Sequence, residues 1–167
     1  MDGGREPELA VTARLALPCD GREPILDAMV VIRSGRIAAV GCRAELEPSL
    51  DARRAERVDF GDALILPGLV NAHCHLEYTA FGPLEGGRPF VDWIGDAVAW
   101  SRRTSPDQRR KSARAGAQLI LRSGVTCVGD VVSRGQGLDA MLEYGLHGIA
   151  YIEFGRPRSF RTVDQQL

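Results

Sequence analysis

The chain has 167 residues, 44% of them hydrophobic and 26% charged, with a formal net charge of -1. These totals describe a globular protein able to bury a sizeable core; they exclude a disordered or fibrous chain and give no electrostatic reason for nucleic acid or an anionic membrane as partner. No run of about 18 apolar residues exists to span a bilayer, and the polar start MDGGREPELA is no signal peptide. Cys19, Cys42, Cys74 and Cys127 form no CxxC pair, so reduced thiols in a cytoplasmic protein are expected.

The chain opens as β-structure, up to about Leu66. ELAVTARLAL reads as a short strand. DAMVVIRSGRIAAVG reads as a hairpin, Ala28–Arg33 and Arg36–Val40 joined by Ser34-Gly35, because glycine tolerates the positive φ that a two-residue turn requires. The charged, proline-interrupted segment Arg43–Arg54 is a loop or a short exposed helix, and AERVDF and DALILP are further short strands. So few strands bury two faces poorly, and this sheet is expected to need a partner.

From Pro67 the texture changes, which sets the expected boundary between residues 1–66 and 67–167. Leu69–His75 is a strand, followed by the glycine-rich FGPLEGGRPF, a candidate lid. Apolar spacing predicts a helix over Asp92–Arg103 with Asp92 as its cap, and Trp93 and Trp100 as packing residues. SPDQ announces another helix, with Ser105 as N-cap, Pro106 in the first turn and Gln108 closing a capping box; Gly124 ends it. VTCVGDVV reads as a strand buried on both faces, GLDAMLEYGL as a short helix and HGIAYIEF as a third strand. GRPRSFRTVDQQL reads as a loop entering a helix. Strand, helix, strand, helix, strand is the grammar of a parallel sheet and of an α/β fold.

Two of the chain's three histidines stand in LILPGLVNAHCHLE. Strand alternation places His73 and His75 on one face with Asn71 and Leu69, and turns Val70, Ala72 and Cys74 to the other. Two converging imidazoles can hold a divalent metal such as zinc or iron, and a bound metal lowers the pKa of its water toward about 7. The pair ends the first strand of a βα series, where barrel enzymes place their active sites.

LPGLVNAHCHLE closely resembles the metal-binding signature of the amidohydrolase superfamily. SGVTCVGDVV resembles that family's second barrel strand, and the N-terminal β-segment resembles the start of its small β-sandwich. NAHCHLEYT followed by FVDWI is most similar to the cytosine-deaminase-like and aminofutalosine-deaminase-like branch. The resemblance implies part of a β-sandwich over residues 1–66, then the first three βα units of an incomplete (β/α)8 TIM barrel over 67–167. It implies one divalent metal ion, zinc ahead of iron, held by His73 and His75, a small-molecule substrate, and hydrolysis of a non-peptide C–N bond, as in deamination of a heterocyclic amine.

The family completes its metal site with two later histidines and an aspartate, and its branch uses a glutamate for proton transfer. None has a counterpart here, so the general acid and base are expected beyond Leu167. The chain is accordingly expected to be an N-terminal fragment, inactive alone and completed by a C-terminal portion or partner chain. Glu77 and Tyr78, in the first βα loop, are candidate substrate contacts, with a plain loop carboxylate and a half-buried ring the slightly favoured readings. Asn71 is a candidate equally for orienting a ligand and for a hydrogen bond within the barrel floor, Asp130 and Glu153 equally for lining the site and for structural hydrogen bonding, Cys74 for an inert buried thiol and His147 for a solvated or capping residue. The alternatives are a hydantoinase- or imidazolonepropionase-like cyclic amide hydrolase, or a non-catalytic interaction module.

Overall fold

The computed structural model describes residues 8–51, 55–82, 87 and 89–152. They form two units divided between Pro67 and Gly68, and each is built by a different pairing rule.

The first unit contains β1 (Glu8–Ala16), β2 (Ile25–Arg33), β3 (Arg36–Cys42), the short helix α1 (Arg43–Leu46), β4 (Ala55–Asp59) and β5 (Leu64–Ile65). Its sheet runs β3-β2-β1-β4, with β5 also on β1. The β1–β2–β3 meander is antiparallel, whereas β4 and β5 lie parallel to β1. Ser34 and Gly35 both have positive φ, 53° and 70°, the twist that lets a two-residue turn match its strands. β2 starts earlier than expected because Ile25 and Leu26 pair with Ala16 and Leu15. Ala10, Met29, Val31 and Leu50 make the core. Glu8 is buried at the edge of this core; its Oε1 accepts from Arg33 Nε at 2.6 Å and its Oε2 from the Asp51 N–H at 3.1 Å. Leu26 and Ile37 remain exposed, so the sheet covers its apolar side chains unequally.

The second unit contains β6 (Leu69–Cys74), a 3-10 turn (Leu76–Phe81), α2 (Phe90–Arg103), α3 (Pro106–Arg122), β7 (Val125–Val132), α4 (Gln136–Tyr144) and β8 (His147–Ile152). The sheet order is β6-β7-β8, and both pairings are parallel. The unit is therefore α/β. The central strand β7 buries Val128, Gly129 and Asp130 in succession, so it is covered on both faces there. α3 carries the expected capping box, with the Ser105 side chain and the Gln108 backbone bonded reciprocally. Asp92 is not a cap: α2 begins at Phe90 behind Pro89, and Asp92 lies in the first turn, where its charge suits the helix dipole. Leu76, Ala113, Ala117, Val128, Ala140 and Met141 form the core between sheet and helices.

Among the described residues no helix is long and apolar enough to cross a membrane. Positions 83–86 and 88 of the candidate lid, Glu153 and Phe154 at the end of the expected third strand, and the stretch 155–167 lie outside the described residues.

Candidate metal site

β6 does not alternate through to its end. Asn71 is in register with Val128 and Cys74 with Asp130, so three steps along β6 oppose two along β7. One extra residue is taken up at Ala72–His73, a β-bulge. A Cβ on Gly129 would lie 2.3 Å from the Ala72 carbonyl oxygen; only glycine lets the bulged backbone approach this closely. The bulge corrects the expected sidedness. Asn71 and Cys74 share the face of Val128 and Asp130, and Asn71 does not lie with His73. Its Oδ1 instead accepts the His73 N–H at 3.2 Å.

The strand ends at Cys74, one residue short of expectation, and His75 leads into the 3-10 turn with φ -134° and ψ 82°. The imidazoles of His73 and His75 nevertheless converge, with ring centroids 5.1 Å apart and planes at 78°. A metal–nitrogen distance of about 2.0–2.1 Å plus a ring radius of about 1.2 Å gives arms of roughly 3.2 Å, and two such arms at a tetrahedral angle put their centroids about 5.2 Å apart. The observed separation fits two imidazoles sharing one tetrahedral ion. Both residues are exposed, as a site open to ligand and water requires. Among the described residues no group of three or more His, Cys, Asp and Glu could hold a metal.

Glu77 departs from its expected place. It is 1% exposed, and its Oε1 accepts the backbone N–H groups of Arg134 and Gly137, each at 3.3 Å. It ties the turn after the histidines to the start of α4 through Oε1. Asp130 is 0% exposed, so it does not line an open surface. Its Oδ1 accepts the Leu76 N–H at 2.8 Å and meets the Cys74 thiol at 3.6 Å. Glu77 Oε2 and Asp130 Oδ2 are buried without a hydrogen-bond partner. Burial raises the Asp130 pKa and the Glu77 charge adds to this, against the lowering effects of the Leu76 N–H, the Cys74 thiol and His75. Burial, then the charge of Asp130, pushes the Cys74 thiol up to about 12, an inert thiol.

Tyr78 stays beside the pair. Its ring meets His75 edge-on at 5.7 Å and Trp100 at 5.6 Å. Phe81 continues this aromatic row to Trp93 and Trp100, which pack as expected. His147 is exposed at the start of β8, opposite the strand end that carries His73. The tie by Glu77 and the grip by Asp130 were invisible to strand alternation, because both depend on which backbone amides the neighbouring segments bring near. The aspartate inside the nearly continuous apolar run VTCVGDVV was the one available signal.

Residues 64–155 match the Amidohydrolase family. A 5-methylthioadenosine/S-adenosylhomocysteine deaminase of Nitratidesulfovibrio vulgaris is 34% identical over 113 residues, covering 67% of this chain and 25% of the relative. An imidazolonepropionase of Pseudomonas putida is 35% identical over 137 residues, 75% of this chain and 33% of the relative. Among solved structures, a Helicobacter pylori aminofutalosine deaminase in complex with methylthio-coformycin superposes with a TM-score of 0.72 at 22% identity, over 90% of this chain and 36% of that one. A zinc-bound adenosine deaminase from Xanthomonas campestris gives 0.69 at 22%, over 87% and 34%. The chain thus spans a quarter to a third of the length of these curated relatives, and the solved structures share its fold.

Proposed function

The chain belongs to the amidohydrolase family, and from that premise we propose that it is the opening part of a metal-dependent hydrolase of non-peptide C–N bonds, a deaminase of a heterocyclic amine. The observation that carries this reading is the pair of exposed imidazoles 5.1 Å apart at the end of β6. In the proposed architecture β6, β7 and β8 are the first three strands of a (β/α)8 barrel, and the first unit is part of a β-sandwich. His73 and His75 hold one divalent ion, zinc ahead of iron, and residues outside the described chain complete the coordination and supply acid–base catalysis. When bound, such an ion makes hydroxide available near neutral pH for attack on an sp² carbon bearing nitrogen.

The chain's own residues do the positioning. Asn71 holds the His73 backbone, and the bulge and the 3-10 turn bring the rings together. Tyr78, edge-on to His75, is the residue of this chain best placed to meet a small planar substrate; Glu77 acts inside the turn. The deaminase-named relative supports the substrate class. The imidazolonepropionase match over 75% of the chain favours a second reading, hydrolysis of a cyclic amide at the same metal site. Four unpaired thiols are consistent with a cytoplasmic setting.

Cobalt(II) titration of the chain, followed by visible absorption, tests the ligand assignment. Binding that is lost in both His73→Ala and His75→Ala is expected; binding unchanged in the two variants refutes it.

A further inference from the structure

We infer that Asp130 is a positioning residue for the imidazole pair: from the neighbouring strand its carboxylate holds the peptide that follows His75, while Gly129 beside it makes room for the bulge that carries His73. The inference rests on the reading of His73 and His75 as metal ligands and assigns the dipeptide that orients them.

Three observations carry it. The Leu76 amide nitrogen is bonded to the carbonyl carbon of His75, so the 2.8 Å bond from Leu76 N–H to Asp130 Oδ1 fixes the peptide plane that sets ψ of His75 at 82°. The same oxygen meets the Cys74 thiol at 3.6 Å, so one carboxylate touches the residues on both sides of His75. Gly129 lies against the residue before His73, and any side chain there would drive into the Ala72 carbonyl at 2.3 Å. Neighbouring positions of β7 thus control the backbone at both rings. Metal ligands depend on such supporting contacts, whose loss typically weakens affinity by about 10–100-fold.

Cobalt(II) affinity, with far-UV circular dichroism as the measure of fold, tests the proposal on the 167-residue chain. Asp130→Ala and Gly129→Ala are expected to weaken binding by about tenfold or more with the fold retained. Asp130→Asn keeps an acceptor oxygen for the Leu76 N–H and is expected within about threefold of the wild type. A folded Asp130→Ala that binds as the wild type does overturns the proposal while leaving the ligand reading intact. Wild-type affinity in His73→Ala and His75→Ala overturns the ligand reading itself and the proposal with it. If Asp130→Ala does not fold, Asp130→Asn decides: affinity near wild type with the Leu76 amide still protected from deuterium exchange supports the grip. A tenfold loss with that amide protected overturns it, because charge and not the amide bond would then hold the pair.

Discussion

Both units bury carboxylates, and they satisfy them differently. In the first, Glu8 has a partner on each oxygen, Arg33 on one and the Asp51 N–H on the other. In the second, Glu77 and Asp130 each keep one buried oxygen without a partner. A fully bonded carboxylate locks the ends of paired strands and has little else to do. Half-bonded buried carboxylates are costly, and here they stand directly behind the exposed histidines. The contrast separates acids that serve stability from acids that serve geometry near a site.

Thiol chemistry should show the largest difference between the units. Cys19 is exposed, whereas burial and Asp130 push Cys74 up to about 12, leaving roughly one thiolate in ten thousand at pH 8. Iodoacetamide at pH 8 followed by peptide mapping should label Cys19 within minutes and leave Cys74 at least a hundredfold slower. Equal rates would erase the contrast. Next in size, Glu8→Ala should cost about 1–2 kcal/mol in a denaturant melt. Most of that loss comes from the Asp51 N–H, because Arg33 is half exposed and screened.

A smaller effect concerns pH. Asp130 has a folded pKa raised above its ordinary 3.8, so its contribution to stability is fully present below about 3.8 and is lost as pH rises through the folded value. Asp130→Asn abolishes this, so its stability relative to the wild type should climb as pH rises from about 4, by at most about 1.4 kcal/mol per pH unit. A flat difference across that range would show that Asp130 is unperturbed. The smallest change is expected for Glu77→Gln, which keeps an acceptor for Arg134 and Gly137 while removing a buried charge. It should shift stability by under about 1 kcal/mol, in the stabilising direction, and a large loss would show that the charge itself holds the turn.

Legibility followed the range of the interactions. The Ser34-Gly35 hairpin and the Ser105–Gln108 capping box are set by residues within a few positions of one another, and both stand as read. The start of α2 at Phe90 was missed because Pro89, with its fixed φ, set the helix entry ahead of Asp92. The histidine pair was visible as a motif, but its sidedness was misread at Asn71, because a bulge is decided by the partner strand and leaves no mark in β6 alone. The burial of Glu77 was hidden for the same reason. Its partners, Arg134 and Gly137, lie 57 and 60 residues away, a separation no local pattern encodes.

The surplus residue in β6 makes length, and not composition, the quantity to guard at this spot. Swapping Ala72 for another small side chain leaves the count intact. Deleting it would restore simple up-down order between Asn71 and Cys74, and Val70 and Asn71, which lie between the strand's two register shifts, would then present their opposite sides to the helices. A single lost codon there would turn part of the strand inside out.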